Sequence, residues 1–159
     1  MKIGDRFVSR LHEVAMKPAG FKKNARTFSR LFPTYGEHYN IQGSAWNSAG
    51  EPWRFYINCA ISFPDLPQKS PGNGMWKFHA NTRLGRIVPE SQKEFDVSDE
   101  NLEKLVKEIA LDLFSCSNYF SRRNQVLRDS YIQNKYNGAF LDDPELRQGR
   151  ATISRVDHQ

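Results

Sequence analysis

The stretch Pro52–Phe63 reads PWRFYINCAISF and alternates without a break. Trp53, Phe55, Ile57, Cys59, Ile61 and Phe63 are apolar, while Arg54, Tyr56, Asn58, Ala60 and Ser62 are polar, amphipathic or small. Successive side chains of a strand point to opposite faces, so the pattern predicts a strand with one buried face. A helix would scatter the six apolar residues around its circumference. The length suits the centre of an antiparallel sheet.

The flanking patterns supply the other elements. Ile3, Phe7, Leu11 and Val14 recur at steps of four and three, which predicts a helix over 3–17 ended by Pro18 and Gly20. Phe21–Lys23 and Thr27–Phe32 predict two strands around an Asn24–Ala25 turn, with the basic side chains on the open side. His38–Trp46 predicts a strand with Tyr39, Ile41 and Ala45 on one parity and Gln42, Ser44 and Trp46 on the other. The breakers Asn47 to Gly50 then turn the chain into the central strand.

Residues 64–76 hold three prolines and two glycines and predict a loop long enough to be functional or mobile. Lys77–Val88 predicts a returning strand with Phe78, Ala80, Thr82 and Leu84 inward, His79, Asn81 and Arg83 outward, and a bulge at Gly85. Ser98 is the predicted N-cap of a helix whose first turn carries Asp99, Glu100 and Glu103, where the dipole favours negative charge. Leu102, Leu105, Val106, Ile109, Leu113 and Phe120 form its apolar stripe. A second helix follows over Tyr119–Tyr136, closed by Asn137-Gly138, and residues 139–159 read as a mostly polar C-terminal tail. The expected fold is α+β: an N-terminal helix, an antiparallel sheet of four to five strands, and one or two C-terminal helices packed on one face, all within a single domain over residues 1–138.

Composition narrows the class of protein. Of the residues, 38% are apolar and 13% aromatic, enough for a globular core in a chain of 159. No run approaches the ~20 apolar residues of a membrane helix, and the charged N-terminus lacks the apolar segment of a signal peptide. Cys59 and Cys116 sit at apolar pattern positions and read as buried thiols, so a reducing, cytoplasmic setting is expected. The net charge of +5 is uneven: residues 1–35 are strongly basic and residues 96–118 acidic. Helix capping and solvation account for the acidic run.

A resemblance adds to this. The run LHEVAMKPAGFKKNARTFSR resembles the opening of a bacterial family, domain of unknown function 4304, through Lys17, Pro18, Gly20, Phe21, Lys22, Lys23, Phe28 and Arg30. Asn40, Gln42 and Ser44 are similar to that family's next strand, Phe55 and Asn58 to the one after, and Arg83 to the arginine of the strand that follows. The resemblance implies a small α+β fold. It carries no established activity and no catalytic residues.

No motif for chemistry emerges. His12, His38, His79 and His158 lie far apart with no metal-ligand spacing, and the glycines of PGNGMW lack the Lys-Ser/Thr of a phosphate loop. Cys116 has no histidine at local spacing and reads as core filler rather than nucleophile. No catalytic residue, metal or cofactor is assigned, and the chain reads as a binding module rather than an enzyme. The candidate working surface is the outward sheet face, with Gln42, Trp46, Arg54, Tyr56, Asn58, His79 and Arg83. Arg54 and Arg83 are expected together there without an acidic residue of matching parity, and the loop 64–76 is expected to close over one end. The competing expectation is a plain solvated sheet face, or one covered by the last helix. A protein partner, in an immunity- or antitoxin-like role, ranks first. Nucleic acid gripped by Lys22, Lys23, Arg26 and Arg30 ranks second, and an enzyme of unknown class third. No membrane role is expected, and the oligomeric state is not legible.

Overall fold

The computed structural model describes residues 1–67, 74–134, 140 and 143–146. Helix α1 (Ile3–Leu11) runs on through a π turn, His12–Met16, in which the Lys17 amide reaches back to the His12 carbonyl at 2.7 Å. The wider turn shifts the helical register. Met16 therefore enters the core, and Val14, expected in the apolar stripe, faces solvent.

Strands β1 (Lys22–Asn24) and β2 (Thr27–Leu31) are joined by Ala25-Arg26, one residue later than expected, with Ala25 at a φ of +52°. β3 (Gly36–Gly43) and β4 (Trp53–Ser62) follow, and β4 is the central strand the alternation predicts. The sheet is antiparallel in the order β1-β2-β3-β4. The far edge of β4 is shared by β5 (Ala80–Arg83) and β6 (Phe95–Val97).

Two expectations change in this region. The returning strand stops at Arg83, because one helical turn, α2 (Leu84–Ile87), brings both Leu84 and Ile87 into the core, where strand geometry would bury only one. β6 was not foreseen; three residues are too few to show a period.

Of the one or two C-terminal helices expected, the structure has one: α3 (Leu102–Asn134) runs on through the segment read as a separate helix from Tyr119, because Cys116, Ser117 and Leu127 carry the buried stripe through the junction. It starts after Asn101, whose carbonyl accepts the Leu105 amide. Ser98 is therefore not the cap; its amide donates to Asn101 Oδ1 at 2.8 Å. The expected stop at Asn137-Gly138 lies outside the described residues. From beyond it, Phe140 and Leu146 are buried, and Asp143 accepts hydrogen bonds from Tyr119 and Arg123.

Both long helices cover the same sheet face. Phe7 of α1 meets Phe55 with ring centroids 4.9 Å apart, and Phe120 of α3 meets Tyr39 at 6.2 Å. The free thiols Cys59 and Cys116 touch at 3.8 Å. Trp53 wedges between α1 and β3: a Cβ on Gly4 would lie 2.8 Å from its ring, and one on Gly43 2.6 Å, so both positions need glycine for close approach.

One charge breaks the apolar face. Glu37 shares its parity with Tyr39 and is fully buried. It pairs with Arg30 at 2.8 Å and accepts hydrogen bonds from Ser117 Oγ at 2.8 and 2.9 Å and from Tyr39 at 3.2 Å. At the surface, Arg6 and Arg10 of α1 meet Asp99 and Glu103 at 2.7 and 2.8 Å, so the acidic run serves α1 as well as the α3 dipole.

Ile57 and Ile61 are buried in the centre of β4. Truncating either to alanine should cost ~2–5 kcal/mol in chemical denaturation, through lost transfer energy plus a residual cavity. Arg30→Ala should cost about 3–5 kcal/mol, because Glu37 would be left charged inside the core. A change below ~1 kcal/mol would contradict the buried pairing.

Candidate functional site

The face of the sheet away from the helices carries a ladder of amides. Register sets Gln42 opposite Tyr56, Asn40 opposite Asn58, and Asn58 opposite Arg83. Asn58 Nδ2 donates to Gln42 Oε1 at 2.9 Å and to Asn40 Oδ1 at 3.3 Å, and Asn40 Nδ2 donates to Thr27 Oγ1 at 3.0 Å.

Arg83 ends this ladder. Its Nη1 donates to Asn58 Oδ1 at 2.9 Å and to Gln42 Oε1 at 3.2 Å, and the guanidinium lies 4.7 Å over the Tyr56 ring. Among the described residues its Nε and Nη2 have no acceptor, and no carboxylate lies within ion-pair distance. An open cleft of about 510 Å³ begins there, lined by Tyr56 and Arg83 together with Arg86, Ser91, Lys93 and Glu94.

Of the predicted face, Gln42, Tyr56, Asn58 and Arg83 are thus brought together. Arg54 points the same way but is not unopposed. Asp96, opposite it on β6, accepts from Nε at 3.0 Å, and Glu94 lies 3.6 Å away. The hydrogen bond to Asp96 and its charge raise the Arg54 pKa above its ordinary value. The expectation that Arg54 and Arg83 form a bare cationic pair is therefore corrected by an acid from the unforeseen strand. Trp46 leaves the face because β3 ends at Gly43; it sits in the following turn, 93% exposed.

His79 is corrected as well. It precedes β5 and is buried, with Nδ1 accepting the Phe63 amide and Nε2 donating to the Pro67 carbonyl, both at 3.0 Å. It clamps the foot of the loop rather than facing solvent. Residues 68–73 of that loop lie outside the described residues, but Phe78 comes back over the sheet and stacks on His38 at 3.6 Å. This contact escaped sequence reasoning, since nothing local pairs residues so far apart. His38 is held between Ser29 Oγ at 2.7 Å and Ser62 Oγ at 2.8 Å, and its pKa is pushed down to about 3, chiefly by burial and then by the Lys77 charge.

The four basic residues of the first hairpin separate into two kinds. Lys22 and Lys23 are exposed, whereas Arg26 pairs with Asp5 at 2.9 Å and Arg30 with Glu37. Among the described residues, no three His, Cys, Asp or Glu side chains gather as a metal site, and no helix is long and apolar enough to cross a membrane.

A family model described as a domain of unknown function, DUF4304, matches residues 13–114, and the chain belongs to that family. The match spans the amide ladder and Arg83. No curated protein and no solved structure matches the chain.

His38 provides a pH signature for this end of the sheet. Its folded pKa lies below the ordinary 6.5, so between pH 6.5 and about 3 the unfolded chain binds a proton that the folded chain refuses. The His38 contribution to stability is complete above pH 6.5 and is lost as pH falls toward 3. Denaturation midpoints measured at pH 7 and pH 4.5 should therefore differ less in His38→Asn than in the unaltered chain. An equal difference in the two would show that His38 takes no part.

Proposed function

We propose that this DUF4304 member is a non-enzymatic binding module whose outward sheet face docks an acidic segment of a protein partner. The observation that carries this reading is Arg83, fixed by two amide oxygens on one nitrogen and by an aromatic ring beneath, with its remaining fork open to solvent. A guanidinium ordered before binding loses little freedom when it meets a carboxylate, and its planar fork suits that group. Arg26, Arg30 and Arg54, by contrast, already face carboxylates.

What the face offers supports a binding role. Amides, hydroxyls and a guanidinium bind; acid–base catalysis near neutrality asks for a group with a pKa close to the working pH. His38 is buried with a pKa far below that, and His79 is buried with both ring nitrogens engaged. For a small bacterial α+β domain in the cytoplasm, an immunity- or antitoxin-like role suits such a face, by analogy of architecture. Nucleic-acid binding through the first hairpin ranks below it, since two of its four cations are occupied.

The test is fluorescence anisotropy with a labelled glutamate-rich peptide. Arg83→Ala should weaken binding at least about tenfold, the worth of one good charge-assisted pair. Its melting temperature should stay unchanged, and Lys23→Ala should bind like the unaltered chain. Equal affinity for the unaltered chain and Arg83→Ala would overturn the docking face.

A further inference from the structure

We infer that the cleft beside Arg83 is a binding site for a phosphate monoester. The inference rests on the same open guanidinium as the docking face and goes further, by naming a dianion as the ligand.

Two cations in this cleft have no acidic partner among the described residues: Arg83, whose Nε and Nη2 point to no acceptor, and Lys93. Glu94 is the cleft's acidic lining residue, and it faces Arg54 at 3.6 Å. A single carboxylate would neutralise one of the two cations. A phosphate monoester carries close to two negative charges at pH 7 and offers three acceptor oxygens, which matches the two cations that line this one cleft.

The volume admits an ester as well as the bare ion. About 510 Å³ lies within the range of small-molecule sites and leaves room for the group that the phosphate is attached to. Tyr56 lines the cleft, with its ring 4.7 Å from the Arg83 guanidinium. Gln42 and Asn58 act as positioning residues: they hold Nη1 of Arg83, which lines the cleft, and leave its Nε and Nη2 without an acceptor among the described residues.

The experiment is calorimetric titration of the full chain with phenyl phosphate and with benzoate, which share a ring but differ in charge. Phenyl phosphate should bind at least about tenfold more tightly, and more tightly at pH 7.5 than at pH 5, as the second phosphate ionisation near pH 6 requires. Lys93→Ala should reduce phenyl phosphate affinity about tenfold while leaving the glutamate-rich peptide within twofold. Arg83→Ala should reduce both.

A phosphotyrosine peptide distinguishes the sources. Binding tenfold tighter than phenyl phosphate would identify a modified side chain of the partner, and comparable binding a free small molecule; either outcome supports the phosphate site. Equal affinity for benzoate and phenyl phosphate, or no effect of Lys93→Ala, would overturn it. In that event intact binding of the acidic peptide would leave the docking face standing, and its absence would remove both.

Discussion

β4 has neighbours on both edges, with β3 along one and β5 and β6 sharing the other, so its register fixes that of nearly the whole sheet. A slip of one residue would send Phe55, Ile57, Cys59 and Ile61 into water and push Arg54, Tyr56 and Asn58 under the helices. Each buried apolar side chain of that size is worth ~1.5–3 kcal/mol. Each polar group buried without a partner costs about 1–3 kcal/mol more. Four residues of one kind exchanged for three of the other cost roughly 9–21 kcal/mol, on the scale of the whole stability of a typical domain. One register therefore survives, and it makes a dry face and a wet face together. Asn58 stands beside Arg83 because Ile61 stands beside Ala80.

The helical layer is joined to the dry face by shape and by one buried charge cluster. Replacing a buried ion pair by apolar groups of the same volume is often neutral or stabilising, so Glu37 and Arg30 are not explained by net stability. What the cluster does is couple elements: Arg30 on β2, Glu37 on β3 and Ser117 on α3 must arrive together for every oxygen and nitrogen to be satisfied. The exposed pairs of α1 with the start of α3 contribute less, since both charges remain hydrated. They bring part of the basic N-terminal stretch against the acidic run at the start of α3.

What could be read from the sequence follows from the reach of its signals. The strict alternation of β4 and the long apolar stripe of α3 repeat often enough to identify an element and its buried side. β6 spans only Phe95–Val97, and with it the carboxylate of Asp96 opposite Arg54 went unseen. Glu37 was within reach: it shares parity with Tyr39 and Ile41, and Arg30 shares parity with Phe28, so an opposite-charge pair on the inward face could have been derived. His38 was not, because the Phe78 ring that covers it comes from a loop whose return no local pattern encodes. The alternation that would place Trp46 on the face does not carry past Gly43, where the Trp53 ring leaves no room for a side chain and the strand ends.

Arg54 and Arg83 occupy the same wet face and differ in what register sets beside them. Arg54 receives a carboxylate, which orients its guanidinium and cancels its charge in the same contact. Arg83 receives the amide oxygens of Asn58 and Gln42, which orient it through two hydrogen bonds and, among the described residues, leave its charge without a carboxylate. An anion site needs both properties, a fixed direction and an unspent charge, because a mobile cation loses entropy on binding and a paired one must first break its ion pair. Neutral acceptors are the side-chain chemistry that provides the first without losing the second. The amide ladder supplies that order: Thr27 holds Asn40, Asn40 and Gln42 hold Asn58, and Asn58 and Gln42 hold Arg83, so hydrogen bonds from three strands converge on one guanidinium.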